Sequence, residues 1–409
     1  MTEQKASNAK GWMVVLAGLG INLILGTLYA WGVIGKALVV QWQWSKMDAS
    51  LPFAVSTAVF AVTMVFAGRM QDKFGPRWVA LSGGVMFGLG LALSSFAQSP
   101  WLMVFTFGLF CGMGLGLAYA ATTPAAIKWF HASRKGLISG VVVSGVGLAA
   151  IFMAPLTEFL LRVTNIPQTF LILGIGAAIA IILLSLVLNN PPAGHQPVAP
   201  SSPTKTAAPV VSAKRDMDWH EMMRTKQFYI LWIMYVLGTA TGLMLISNVA
   251  VIAQEQAAWQ AGFVAIMVLA VFNTVGRFAS GAVSDRIGRT NTMIIALLIQ
   301  AVNMLAFAHF TSPVTILVGC AVVGLCYGSL FPLMPAAVAD FYGLKNLGVN
   351  YGLTFTAFGV AGVWGSLLGG RIRDMLGSYS VAYIMCAVML LIAAVLAFVI
   401  RPRKAETEK

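Results

Sequence analysis

The stretch GRMQDKFGPR at residues 68–77 returns as GAVSDRIGR at residues 281–289. Each copy sets a Gly, an Asp four residues on, a basic residue beside it and a second Gly three residues after the Asp. These are Gly68, Asp72, Lys73 and Gly75 in one, and Gly281, Asp285, Arg286 and Gly288 in the other. A second pair sits at nearly the same offset: Pro124-Ala-Ala-Ile-Lys-Trp-Phe130 against Pro335-Ala-Ala-Val-Ala-Asp-Phe341. Two independent matches at one spacing mark an internal duplication, so the chain is read as two related halves.

Around these repeats the chain is dominated by apolar residues. Of its 409 residues 59% are apolar and only 10% charged, against about 25% charged in an ordinary soluble domain. So apolar a composition excludes a disordered chain, and so few charges argue against a soluble enzyme. Twelve apolar runs are long enough to cross a bilayer: near 11–38, 48–70, 77–97, 100–127, 135–161, 166–188, 227–253, 258–284, 290–310, 313–339, 346–370 and 378–400. They lack strand-like alternation, which excludes a membrane barrel. The expectation is an all-α membrane protein of 12 transmembrane helices in two pseudo-symmetric six-helix bundles.

The formal charge of +13 reports topology. Lys36, Lys46, Arg162, Arg371 and Arg373 fall on one side of the runs, and Arg277 lies inside one. The remaining Lys and Arg fall at the two termini and in the even-to-odd connections. By the positive-inside rule both termini are cytoplasmic in a plasma (inner) membrane protein, and no nucleic-acid partner is expected. Residues 190–217 hold six prolines among Ser, Thr, Ala and Lys, the composition of a cytoplasmic linker. It separates a bundle at 1–189 from one at 218–400, with a cytoplasmic tail at 401–409. Asp218 to Lys226 suits a short interfacial helix. Cys111, Cys320, Cys326 and Cys386 lie inside apolar runs without metal-ligand spacing, so neither a metal nor a cofactor is expected.

The repeated G-x-x-x-D-[RK]-x-G pattern resembles the signature of the major facilitator superfamily. The resemblance covers the whole chain and implies a cytoplasmic gate latched by Asp72, Arg69, Lys73, Asp285, Arg286 and Arg289. Three further stretches are similar to motifs of monocarboxylate transporters and the related oxalate–formate exchangers. They are Gly26-Thr-Leu-Tyr29-Ala-Trp31, then Trp129-Phe130-His-Ala-Ser-Arg134-Lys135-Gly136-Leu137, and Thr225-Lys-Gln-Phe228-Tyr-Ile-Leu-Trp232. The implied activity is transport of a small monocarboxylate by alternating access around a midplane site.

Arg277 carries the substrate expectation. It lies nine residues before Arg286, about 13 Å deeper along a helix. Near mid-bilayer an Arg costs at least ~2.5–3.5 kcal/mol unless it faces a polar cavity or partner. The 13 acids all fall at span ends, in loops or in the termini, so a carboxylate from outside the chain is the expected counter-charge. A guanidinium matches its two oxygens with a planar fork. Snorkelling or carbonyl capping is the alternative. Asn273, one turn earlier, shares the face of Arg277, and Tyr119 lies at similar depth in the other half. Leu28, Tyr327, Phe331 and Phe358 are further lining candidates, for which core packing competes as an explanation. Gly108, Gly112 and Gly116 read as a packing stripe.

The chain departs from its relatives at three places. Exchangers carrying a dianion have a Lys in the eleventh span where this chain has Phe358, so one fixed charge points to a monoanion. Animal monocarboxylate carriers have an Asp where Asn273 stands and a Lys where Val33 stands. A lactate- or pyruvate-like acid taken up with protons by a monomeric carrier is therefore the leading expectation. A carboxylate anion exchanger of the oxalate/formate type remains open, as does a non-transporting carboxylate sensor. An enzyme is not expected, for want of an intramembrane His, Asp or Ser constellation.

Overall fold

The computed structural model describes residues 2–192, 195, 216–259 and 261–400, with side chains there except at 2–8, 28, 29, 46, 150, 263, 366 and 367. All regular elements among them are helices. In chain order these are α1 (Thr2–Leu25), α2 (Trp31–Gln41), α3 (Lys46–Phe74), α4 (Pro76–Ser94), α5 (Pro100–Ile127), α6 (Lys135–Val163) and α7 (Ile166–Ser185). Then follow α8 (Trp219–Met223), α9 (Lys226–Ala257), α10 (Gly262–Ile287), α11 (Arg289–Phe307), α12 (Pro313–Tyr342), α13 (Leu347–Leu376) and α14 (Ser380–Val399). Among the described residues eleven helices are long and apolar enough to cross a membrane.

The first predicted crossing, 11–38, is not one continuous helix. Its apolar stretches, Ala9–Leu25 and Trp31–Gln41, are joined by a 3-10 turn over Gly26–Ala30. Two local causes are visible. Gly26 approaches α6 so closely that an added Cβ would collide with Ala149. Thr27 turns its hydroxyl back onto the Ile24 carbonyl at 2.6 Å, a bond that competes with the helical ladder. The predicted short helix after the linker is α8, closed by a capping box in which Asp218 and Glu221 cap each other's backbone N–H groups. Most of the linker expected at 190–217, and the tail at 401–409, lie outside the described residues.

Two compact units divide the chain: Met1–Phe130 with Val142–Pro197 and Asn346–Thr356, and His131–Val141 with Val198–Lys345 and Ala357–Lys409. Each unit therefore includes the opening turns of a helix from the other half of the sequence. The start of α6 belongs to the second unit and the start of α13 to the first. In both units the outer helix faces carry large apolar side chains, such as Val62, Phe66, Ile179 and Leu183, or Ile299, Val302 and Leu305. Polar side chains such as Asn22, Thr122, Asn273 and Gln300 are buried inside, the arrangement a hydrocarbon solvent demands.

The repeat is also a packing repeat. In the first unit α3 crosses α5 where Gly112 meets the Ser56 carbonyl and Val59, and Gly116 meets Thr63 and the Phe60 carbonyl. In the second, α10 crosses α12 where Gly324 meets the Leu269 carbonyl and Phe272, and Gly328 meets the Asn273 carbonyl. The glycine stripe read from sequence is thus structural, and it sets a residue-by-residue correspondence between the halves.

Candidate functional site

At the α10–α12 crossing the correspondence becomes chemical. By the spacing of the repeated motif, Phe60 and Met64 stand in the first unit where Asn273 and Arg277 stand in the second. Met64 and Arg277 are both 0% exposed. Close backbone approach builds the second-unit cluster, because a methyl on Gly328 would strike the Asn273 carbonyl and one on Gly276 the Leu325 backbone. That contact brings α12 aromatics onto the Arg277 face. The guanidinium lies over the Phe331 ring, 4.1 Å from its centroid, a cation–π contact. Its Nε donates to Asn273 Oδ1 at 3.0 Å. The i, i+4 spacing that sequence offered is realised, with the amide fixing the guanidinium plane.

Tyr327 and Phe358 complete this wall, each packing edge-on against Phe331 with centroids 5.2 and 5.6 Å apart. Tyr327 is buried and Phe358 half-buried. The second unit therefore gathers Arg277, Asn273, Tyr327, Phe331 and Phe358 in one cluster: one cation, one amide and three aromatic rings. This set can present charge-assisted donors to an anionic head and apolar surface to a short carbon tail.

Tyr119, in the first unit, lies among aromatic rings of its own. It meets Phe60 edge-on at 5.6 Å and Phe355 of α13 at 5.6 Å. Neither Phe60 nor Phe355 was singled out in the sequence, where an aromatic in an apolar run carries no distinguishing mark. Leu28 falls in the Gly26–Ala30 turn, and its side chain lies outside the described residues.

The repeated acidic motif builds two latches of one design. In the first unit Asp72 accepts the N–H groups of Gly348 and Val349, at 3.1 and 2.9 Å, in the first turn of α13. In the second, Asp285 accepts those of Gly136 and Leu137, at 3.0 and 2.7 Å, in the first turn of α6. Each carboxylate thus caps the positive end of a helix whose opening turns come from the other sequence half, an interaction of ~0.3–2 kcal/mol depending on burial. The motif glycines follow from this geometry. Methyl groups at Gly68 and Gly281 would strike the carbonyls of Gly348 and Gly136. Gly75 and Gly288, ending α3 and α10, adopt φ of 87° and 93°, where a side chain is strained.

The latches differ in charge. Among the described residues Asp72 has one cationic neighbour, Lys128, at 3.5 Å. Asp285 pairs with Arg289, whose Nε reaches Asp340 at 3.2 Å, and Lys135 reaches Asp340 at 2.9 Å. Arg69, Lys73 and Arg286, expected in the gate, are exposed and enter neither latch. Lys128, Lys135 and Asp340 do. Lys128 and Asp340 lie inside the repeated stretch ending the fourth and tenth runs, and Lys135 in the motif opening the fifth. That repeat was the signal available in sequence.

A family model described as Major Facilitator Superfamily matches residues 11–366 and, again, 260–409. The oxalate:formate antiporter of Oxalobacter formigenes is 28% identical over 95% of this chain and 91% of its own. Monocarboxylate transporter 13 of Rattus norvegicus is 25% identical over 93% of this chain and 86% of its own. Among solved structures, the E. coli fucose:proton symporter superposes with a TM-score of 0.71 at 13% identity, over 94% of this chain and 98% of that one.

Proposed function

Because the chain belongs to the major facilitator superfamily, and is a multi-pass membrane transporter, we propose that it carries small monocarboxylates of the lactate or pyruvate kind, coupled to protons. One observation carries the reading. Arg277 and Met64 hold equivalent, fully buried places in the two halves. The crossing packs with an apolar residue in one, so the fold itself does not require a cation in the other. Asn273 and the Phe331 ring offset part of the cost of a mid-span Arg, and anion binding is the function that uses the charge.

In this reading Arg277 takes the substrate carboxylate through its guanidinium fork, and Asn273 holds that fork in plane. Tyr327, Phe331 and Phe358 supply the apolar wall for the carbon tail. Tyr119 and Leu28 are the lining residues assigned to the first half. Transport is by alternating access, in which residues 1–189 and 218–400 rock as bundles and expose Arg277 to each side of the membrane in turn. Substrate neutralises Arg277, so the loaded carrier reorients at lower cost than the empty one. Asp72 and Asp285, with Lys128, Arg289, Lys135 and Asp340, hold the cytoplasmic gate and release once per cycle. The carrier sits in the plasma membrane as a monomer with both termini in the cytoplasm.

An exchange mechanism is the competing reading, favoured by the similarity to an oxalate:formate antiporter. Phe358, an uncharged ring beside Phe331, weighs against a dianion. Uptake of labelled lactate into proteoliposomes, with and without an imposed pH gradient, tests the proposal. Gradient-driven accumulation competed by pyruvate but not by oxalate supports it. Uptake only against preloaded anion, indifferent to pH, replaces symport by exchange.

A further inference from the structure

The face of α11 that turns inward carries one polar group the bundle leaves unsatisfied. Ile295, Leu298, Ile299, Val302 and Leu305 form its exposed stripe, whereas Ala296, Leu297, Gln300, Ala301, Asn303 and Met304 are buried. Asn303 donates to the Gly319 carbonyl at 3.1 Å. Gln300, 3% exposed, has neither its carboxamide oxygen nor its nitrogen within hydrogen-bond reach of a partner. A buried amide with both ends unmet costs more than any apolar side chain of its size would.

Space adjoins it. Gln300 lines a small cavity with Gly238 of α9, Leu297, Cys326 and Tyr327 of α12, and Leu390 of α14. The cavity leaves about 10 Å³ for the centre of a water molecule, enough for one. Its wall is otherwise apolar apart from the Cys326 thiol and the Tyr327 ring. Tyr327 is also the residue packed edge-on against Phe331, which carries the Arg277 guanidinium.

We propose that Gln300 holds one structural water in this cavity, behind the Tyr327–Phe331 wall of the anion site. The carboxamide offers a donor and an acceptor and the Cys326 thiol a further weak partner, within the usual complement for a buried water. The water fills the gap against which Tyr327 rests. The proposal does not depend on which substrate is carried.

X-ray radiolytic labelling of the purified full chain tests it, since a bound water generates hydroxyl radicals where it sits. Cys326 and Tyr327 are expected to be modified in the wild type, whereas Cys111, fully buried in the other unit, is not. In Gln300→Leu the modification of Cys326 and Tyr327 should be lost. Labelling of Cys326 no greater than that of Cys111 in the wild type overturns the proposal, as does labelling that persists in a folded Gln300→Leu protein. If that variant does not fold, a high-resolution density map of the wild type decides. A peak within hydrogen-bond distance of the Gln300 carboxamide supports the site, and an empty cavity refutes it.

Discussion

Met64 and Arg277 stand at one place in two copies of the same helix crossing, and both are sealed from solvent. One turn before Met64 stands Phe60, whose ring packs edge-on against Tyr119. Around Arg277 the neighbours are Asn273 on Nε and the Phe331 face. Backbone contacts at the two crossings are alike: Gly112 and Gly116 meet the same positions of α3 that Gly324 and Gly328 meet in α10. Duplication therefore preserved the scaffold and let the side chains diverge. Only the second copy carries a charge at this place, on a frame of glycine contacts that both copies share.

The contrast breaks most directly if Arg277 is given its counterpart's side chain. Arg277→Met is expected to abolish carboxylate binding and uptake, a loss of about a hundredfold or more for two charge-assisted hydrogen bonds. Its melting temperature should be unchanged or higher, because removing a buried charge in favour of a hydrophobe is often stabilising. Arg277→Lys should be severely impaired, retaining charge without the fork. Near-normal uptake by a well-folded Arg277→Met carrier would remove the basis of the substrate reading.

The reciprocal change, Met64→Arg, sharpens the same contrast. It puts a cation where Phe60, not an amide, stands one turn earlier, at an expected cost of ~2.5–3.5 kcal/mol. A thermal shift in detergent measures it. A melting temperature equal to wild type would show that this crossing accepts a cation in either copy, and the singularity of Arg277 would lose its meaning.

The latches form a second, smaller contrast. Both carboxylates cap a helix, but Asp285 also sits in a four-member charge network with Arg289, Asp340 and Lys135, whereas among the described residues Asp72 pairs with Lys128 alone. Asp285→Asn should slow turnover more than Asp72→Asn, by about tenfold against a few-fold, on the ~1–2 kcal/mol by which a partly buried helix-end charge stabilises its state. Substrate affinity should stay near wild type in both, as each Asp is far along its helix from the mid-span cluster. A matched Kd and kcat series on the two variants checks this. Lost binding with normal turnover would contradict a gate role.

Phe358→Lys is the mildest expected change. It adds a second cation beside the Phe331 wall, where like charges disfavour the empty site. Oxalate should gain as a competitor of lactate by several-fold, on the order of 1 kcal/mol. Equal, poor competition in wild type and variant would mean that Phe358 does not face substrate.

Sequence alone determined the membrane class, the duplication and the positions of Arg277 and Asn273. Those properties are written in composition, in repeats and in the 3.6-residue period of a single helix, all of which are local. The motif Asp72 and Asp285 was legible for the same reason, and an Asp at a helix end has few partners to choose from. What required the tertiary structure was every relation between helices. The break at Gly26 depends on Ala149, far along the chain. Arg69, Lys73 and Arg286 share the motif but point to solvent, while Lys128, Lys135 and Asp340 enter the latches from other helices. Stacking of Arg277 on Phe331 follows from how α10 meets α12. Helix faces meet through glycine contacts whose partners lie tens of residues away, and no local pattern records which face meets which.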